Sequence, residues 1–279
     1  MRLRAILLCT GPLVMAALSL SACGSADHGG SGQNAAADVQ ARNFAERMTG
    51  APTAAPSAKA FEKSEKSALL EFVYAYPAQA AAVPALVARF DKDMSVGRAD
   101  ALKMAQEDQE AAKQSDFPFH AHSAEVRWTV AADTPRFLVL EATRYVFTGG
   151  AHGMTGYDAL LWDRERKRET SFAAMMTSPA AFAATIRDRF CRELDKARAE
   201  KRGAAVVPGD DDFTKCIDPM KEVLVPTSRD GKLIDGVTVV VAPYSAGPYA
   251  EGSYDIALPV DTPMRKAIKT EYQTAFVGG

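Results

Sequence analysis

The order of secondary-structure signals along this chain predicts an α+β fold, with mixed or antiparallel sheets, packed helices and two closely associated subdomains. Three observations carry that expectation. Short β-branched and aromatic runs follow helical stretches in an irregular order (strands, helices, strands, helix, strands, helix), unlike the strict alternation of a doubly wound parallel sheet. Two of the strand runs meet across a turn-rich segment, as in a hairpin. One stretch repeats large apolar residues every fourth position, the mark of a helix packed along one face.

The elements read as follows. Ser67–Tyr76 (SALLEFVYAY) is an apolar, aromatic strand closed by Pro77. Two helices follow. Pro84–Met94 places Leu86, Val87 and Phe90 on one stripe, and Arg98–Gln114 carries Leu102, Ala105, Gln109 and Ala112 at helical spacing with charges outside. Ser123–Val130 and Phe137–Phe147 form a hairpin across the five-residue loop Ala131–Pro135, and Asp158–Asp163 adds a strand before the charged turn Arg164–Arg168. Ser178-Pro179 opens the clearest helix, with a cap residue, a proline in the first turn, Phe182, Ile186, Phe190 and Leu194 in register, and Gly203 as the stop. Arg187, Glu193, Asp195 and Lys196 form its solvated side. Val223–Val225, Val237–Val241 and Tyr254–Leu258 are strands, and Thr262-Pro263 opens a terminal helix running to Phe276.

The chain begins with an address. Arg2 and Arg4 precede an apolar stretch from Ala5 to Leu20, interrupted at Thr10-Gly11-Pro12, and Leu20-Ser21-Ala22-Cys23 follows directly. This resembles a bacterial lipoprotein signal, since the stretch is too short and too broken to span a bilayer. The resemblance implies cleavage before Cys23 and acylation of its thiol; a plain signal peptide with an incidental cysteine is the alternative. Each buried methylene contributes about 0.8 kcal/mol and stable anchoring takes two chains, so a multiply acylated cysteine holds a protein at a membrane almost permanently. Gly24 at the second mature position implies, in a Gram-negative envelope, the outer membrane facing the periplasm. Residues 1–22 are then the leader, and 23–60, rich in Gly, Ala, Ser and Pro, a flexible tether.

Composition narrows the function further. At 47% hydrophobic and 24% charged residues the chain is ordinary for a globular protein, and a formal net charge of −2 argues against a nucleic-acid partner, which requires a basic surface. Cys9 leaves with the leader and Cys23 carries lipid, so Cys191 and Cys216 remain. In an oxidising compartment they pair, closing a loop worth ~3.5 kcal/mol by chain entropy; two free buried thiols are the alternative. With no His or further Cys beside them they do not read as a metal site.

Two segments carry the candidate chemistry. In Thr148-Gly149-Gly150-Ala151-His152-Gly153, after a β-run, the glycines allow a tight turn with positive φ and close approach at Gly153, so His152 projects from a constrained loop. Its imidazole can bind a ligand, act as acid or base, or fix a neighbouring loop by a hydrogen bond. Lacking the Walker lysine and the Rossmann spacing, the loop is a weak phosphate signal. His120-Ala121-His122 with His152 would make a three-histidine metal site, against which stands a pair of surface histidines at a strand entrance. Tyr244, Tyr249 and Tyr254 flank a Pro/Gly-rich loop with Glu251, suited to stacking on sugar rings, anchoring a protein partner, or packing on the core. Asp210-Asp211-Asp212 lacks the alternation of a calcium loop and reads as a solvated turn.

The segment Tyr145-Val146-Phe147-Thr148-Gly149-Gly150-Ala151-His152-Gly153 is similar to the "TGGAHG" signature of paired DUF4163 and DUF3298 domains. A second match follows in the same order: Val241-Ala242-Pro243-Tyr244, Gly247-Pro248-Tyr249-Ala250-Glu251-Gly252 and Ile256-Ala257-Leu258-Pro259 resemble the family's "PY…YA.G…(I/L)P" segment. The resemblance implies a DUF4163-like region over 61–170 and a DUF3298-like region over 171–279. Similar domains stand beside a polysaccharide deacetylase module in some enzymes, and in the outer part of a lysozyme-sensing anti-sigma factor.

No GxSxG elbow, HExxH helix or activated cysteine is present, and the deacetylase module's metal-binding segments have no counterpart. The expectation is a non-catalytic, lipid-anchored envelope protein without cofactor or metal, binding peptidoglycan, another glycan or a lysozyme-like protein through Thr148, Gly149, Gly150, His152, Tyr244, Tyr249 and Glu251. The alternatives are a small hydrolase or deacetylase using His152 with Asp158 or Glu251, and a structural assembly lipoprotein.

Overall fold

The structure, a computed structural model, describes residues 58–207, 209 and 211–278. The expected leader, Cys23 and nearly all of the expected tether lie outside the described residues, as does Asp210. The fold is α+β. Strands β1 (Phe61–Lys66), β2 (Leu70–Tyr76), β3 (His122–Asp133), β4 (Phe137–Phe147), β5 (Met154–Asp163) and β6 (Arg168–Thr170) form one sheet in sequential order. Strands β7 (Val223–Thr227), β8 (Gly236–Val241) and β9 (Tyr254–Pro259) form a second, antiparallel sheet. All pairs in the larger sheet are antiparallel except β2 with β3. A parallel pair needs a long crossover, here the one-turn helix α1 (Ala78–Ala81) and the helix α2 (Pro84–Gln114).

The core sits on both faces of β4. Phe137–Ala142 are buried without a break, and their alternation splits them. Leu138, Leu140 and Ala142 join Phe72, Tyr74, Leu86, Phe90 and Trp128 under α2. Phe137 and Val139 join a second core with the three-stranded sheet, helix α3 (Phe172–Met175) and helix α4 (Pro179–Arg202). A strand covered on both faces reads as a continuous apolar run, as "FLVL" does.

Several expectations are corrected. The two helices expected between 84 and 114 are one of 31 residues; Gly97 costs it roughly 1 kcal/mol of propensity but makes no break. The β3–β4 loop is three residues, Thr134–Arg136, not five. An extra residue at Ala131 bulges β3, and the Thr134 hydroxyl accepts from the Phe137 amide at 3.0 Å. The terminal helix stops after helix α5 (Thr262–Lys266), because Ala267 and Lys269 give their backbone groups to Thr177 and Met175; a 3₁₀ stretch, Thr270–Ala275, follows. The α4 reading holds at both ends: Ser178 accepts from the Ala181 amide, and Gly203 closes it at φ 66°. Cys191 and Cys216 form the expected disulfide, Cα–Cα 5.4 Å.

Glu141, on β4, is buried toward the smaller sheet, and among the described residues its Oε2 finds no hydrogen-bond partner. Burial first, then the Asp255 charge, push its carboxyl up to about 8. The folded protein therefore holds this proton more tightly than the unfolded chain does. Its stabilising effect is complete below about 4.5 and is lost as pH rises to about 8. Glu141→Gln is expected to match the wild type near pH 4.5 and to melt higher at pH 8, by roughly 5 °C; thermal denaturation over that range checks it.

Candidate functional site

The β4–β5 hairpin loop and the β8–β9 connection meet at one end of the molecule. Gly149 takes φ 90°, the positive angle its turn requires, and Thr148, Gly149 and Gly150 are exposed. Gly153 is buried beneath Tyr145: a Cβ there would fall inside the phenol ring. The close approach read into this glycine is thus by a side chain of the protein itself.

His152 is clamped. Its ring stacks on Tyr249 at 3.7 Å between centroids and 13° between planes, while Tyr244 tilts against both rings at 6.1 and 5.6 Å. Nδ1 lies 3.0 Å from the Gly153 carbonyl, which only accepts, so Nδ1 carries the hydrogen. In the neutral ring Nε2 then accepts from the Tyr244 hydroxyl at 3.2 Å. Tyr244 sits at φ 72°, left-handed territory that costs a bulky residue about 1–2 kcal/mol, and is still 47% exposed. The result is a half-exposed aromatic shelf with fixed ring orientations, edged by the glycine turn.

The other expected residues separate from this shelf. Tyr254 is buried, its hydroxyl on the Glu251 carboxylate, so it belongs to the support and not to a stacking surface. Glu251 is gripped by Arg202 through two nitrogens at 2.8 and 3.0 Å, which holds its carboxyl below the usual range. Asp158, the other proposed partner of His152, binds Arg144. Neither carboxylate is placed on the imidazole. His120 is exposed, its Cβ 3.8 Å from where a Cβ on Gly149 would lie. His122 is buried and not a surface residue, with Nε2 3.1 Å from Asp108 of α2. Among the described residues no three His, Cys, Asp or Glu side chains are grouped to hold a metal. Asp211 caps its turn by accepting from the Phe213 amide.

The support of the shelf was missed in the sequence. Arg198 is fully buried and donates Nε to the Ala246 carbonyl at 2.9 Å; Lys201 donates to the Glu251 and Ser253 carbonyls and lies 4.1 Å over the Tyr254 ring. Burial lowers the Lys201 ammonium below its ordinary value. The signal was available: Arg198 continues the fourth-residue stripe Phe182, Ile186, Phe190, Leu194, so a cation stands where an apolar side chain is due.

Two loops of an α+β scaffold thus present a rigid, half-exposed aromatic shelf of a form suited to ligand contact. Residues 63–155, from β1 through the glycine–histidine turn, match the family model described as deacetylase PdaC. Two solved structures are similar to the chain. One is a DUF3298 family member from Bacteroides fragilis NCTC 9343, 17% identical, covering 80% of this chain and 98% of its own at a TM-score of 0.47. The other is a DUF3298 family protein from Pseudomonas aeruginosa PAO1, 18% identical, covering 81% and 99% at a TM-score of 0.43. No curated relative matches the chain.

Gly153→Ala is expected to displace Tyr145 and lower stability by roughly 2 kcal/mol. Gly150→Ala, where nothing lies within 4 Å, should stay within about 0.5 kcal/mol. Chemical denaturation of the two variants separates the effects.

Proposed function

We propose that this chain is a non-catalytic, lipid-anchored protein of the bacterial cell envelope that binds glycan strands, peptidoglycan first among them, on the Tyr244–His152–Tyr249 shelf. The observation that carries the reading is the stacked His152–Tyr249 pair beside a strained, half-exposed Tyr244. Pyranose rings present a flat C–H face to such surfaces, and rings already locked in place lose little entropy when a sugar covers them. The exposed backbone of Thr148-Gly149-Gly150 adds polar groups at the rim for hydroxyls. The name of the matched family, a deacetylase, supports a carbohydrate setting. The commitment of Asp158 and Glu251 to arginines favours binding over hydrolysis at His152. Cys23, as the acylated residue, would hold the protein at the outer membrane.

One observation favours a second reading, a protein partner such as a lysozyme-like enzyme. Val146 and Met154 face each other across β4 and β5 at the base of the turn, 47% and 45% exposed.

Purified protein should be retained by isolated murein, and Tyr249→Ala or Tyr244→Ala should each weaken binding about tenfold. Retention on immobilised lysozyme in place of murein would favour the second reading, and retention on neither removes both. Cys23→Ser is expected to shift the protein from the membrane to the soluble envelope fraction, with loss of the acyl mass by mass spectrometry.

A further inference from the structure

The shelf is not held by its own loop. Helix α4 sends two guanidinium groups between the loop 242–252 and the segment 213–216, and each grips both. Arg198 donates Nε to Ala246 on the loop, and Nη1 to the Thr214 and Lys215 carbonyls at 3.3 and 3.1 Å on the segment, with Asp195 as its counter-charge. Arg202 donates to the Glu251 carboxylate on the loop and, through Nη2, to the Phe213 carbonyl at 3.1 Å. The segment's covalent tie is the bond from Cys216 to Cys191, about two turns before Arg198 on the same helix. Both cysteines are half-buried, not sealed in the core.

From this geometry we propose that the Cys191–Cys216 disulfide regulates the aromatic shelf, with Arg198 and Arg202 as the positioning residues through which it acts; the regulated property, ligand binding, rests on the function proposed above. A dithiol reductant of the envelope attacks one sulfur. The S–S bond takes up two electrons and two protons, the reductant becomes a disulfide, and two thiols remain. Segment 213–216 then keeps only noncovalent ties to α4. As it frays, Arg198 loses two of its carbonyl acceptors and Arg202 loses one, which deepens the shortage of a buried cation whose Nη2 already finds no partner among the described residues. Both side chains shift, and with them Ala246, two residues after the left-handed Tyr244, and Glu251, two residues after the Tyr249 that stacks on His152. The bond packs against the core beneath the smaller sheet and outside the strands of the larger one, so its loss is felt first at segment 213–216 and the loop it latches.

The test is hydrogen exchange on the full lipoprotein in detergent, oxidised and after treatment with dithiothreitol, with murein binding measured on the same samples. Amides of 242–252 should exchange about tenfold faster after reduction while those of β4 keep their protection, and murein affinity should fall with them. Arg198→Met with the disulfide intact should reproduce the faster exchange of 242–252. Unchanged exchange there in both the reduced protein and the Arg198 variant overturns the latch. Faster exchange without murein binding in either redox form upholds the latch and overturns the glycan reading.

Discussion

Double-sided burial of β4 is the constraint on which the rest of this structure depends. Its six-residue buried run forces one layer onto each face, α2 on one and α4 with the smaller sheet on the other. Apart from Glu141, polar side chains return only after Ala142, with Thr143 and Arg144 half-exposed. The glycine turn therefore emerges at the sheet's end, level with the connection between β8 and β9. The meeting of the two loops is a product of layering, and their own sequences refine it.

Much of this was legible in the chain. The helix from Ser178 to Gly203 and the strands of the smaller sheet stand out because cap, stripe and stop agree. The glycine–histidine turn and the tyrosine loop could be named separately, but local sequence says nothing of their contact, which depends on how two sheets pack. What stayed hidden has physical causes. β1 has one large apolar residue, Phe61, among Glu62, Lys63, Glu65 and Lys66; such charges protect an outermost strand from unwanted pairing and erase its hydrophobic signature. The continuity of α2 through Gly97 is decided by packing on both sides of that glycine, Leu86 and Phe90 before it and Ala105 after it, and the early end of α5 by backbone bonds to Met175 and Thr177, residues far away in sequence.

Electrostatics are divided between the two ends of the fold's chemistry. Cations do the anchoring around the shelf, where Arg198, Lys201 and Arg202 face carbonyls and two carboxylates, Asp195 and Glu251. A buried acid, Glu141, sits between the sheets within reach of the Asp255 charge. The first arrangement gives charge to a loop that must hold strained tyrosine geometry; the second leaves a carboxyl neutral in a region with little water to solvate it. On the opposite face, Arg144 joins Asp93 and Asp158 beside Trp128, a surface network of modest energetic weight.

The parallel pairing of β2 with β3 has a kinetic meaning. Leu70 lies opposite His122, so about fifty residues, most of them α2, must be in place before these strands can zip. The meander β3–β4–β5 closes through short turns and needs no such wait. Chain-entropy considerations therefore make the meander the natural nucleus, with the aromatic β2 docking late onto a surface already assembled.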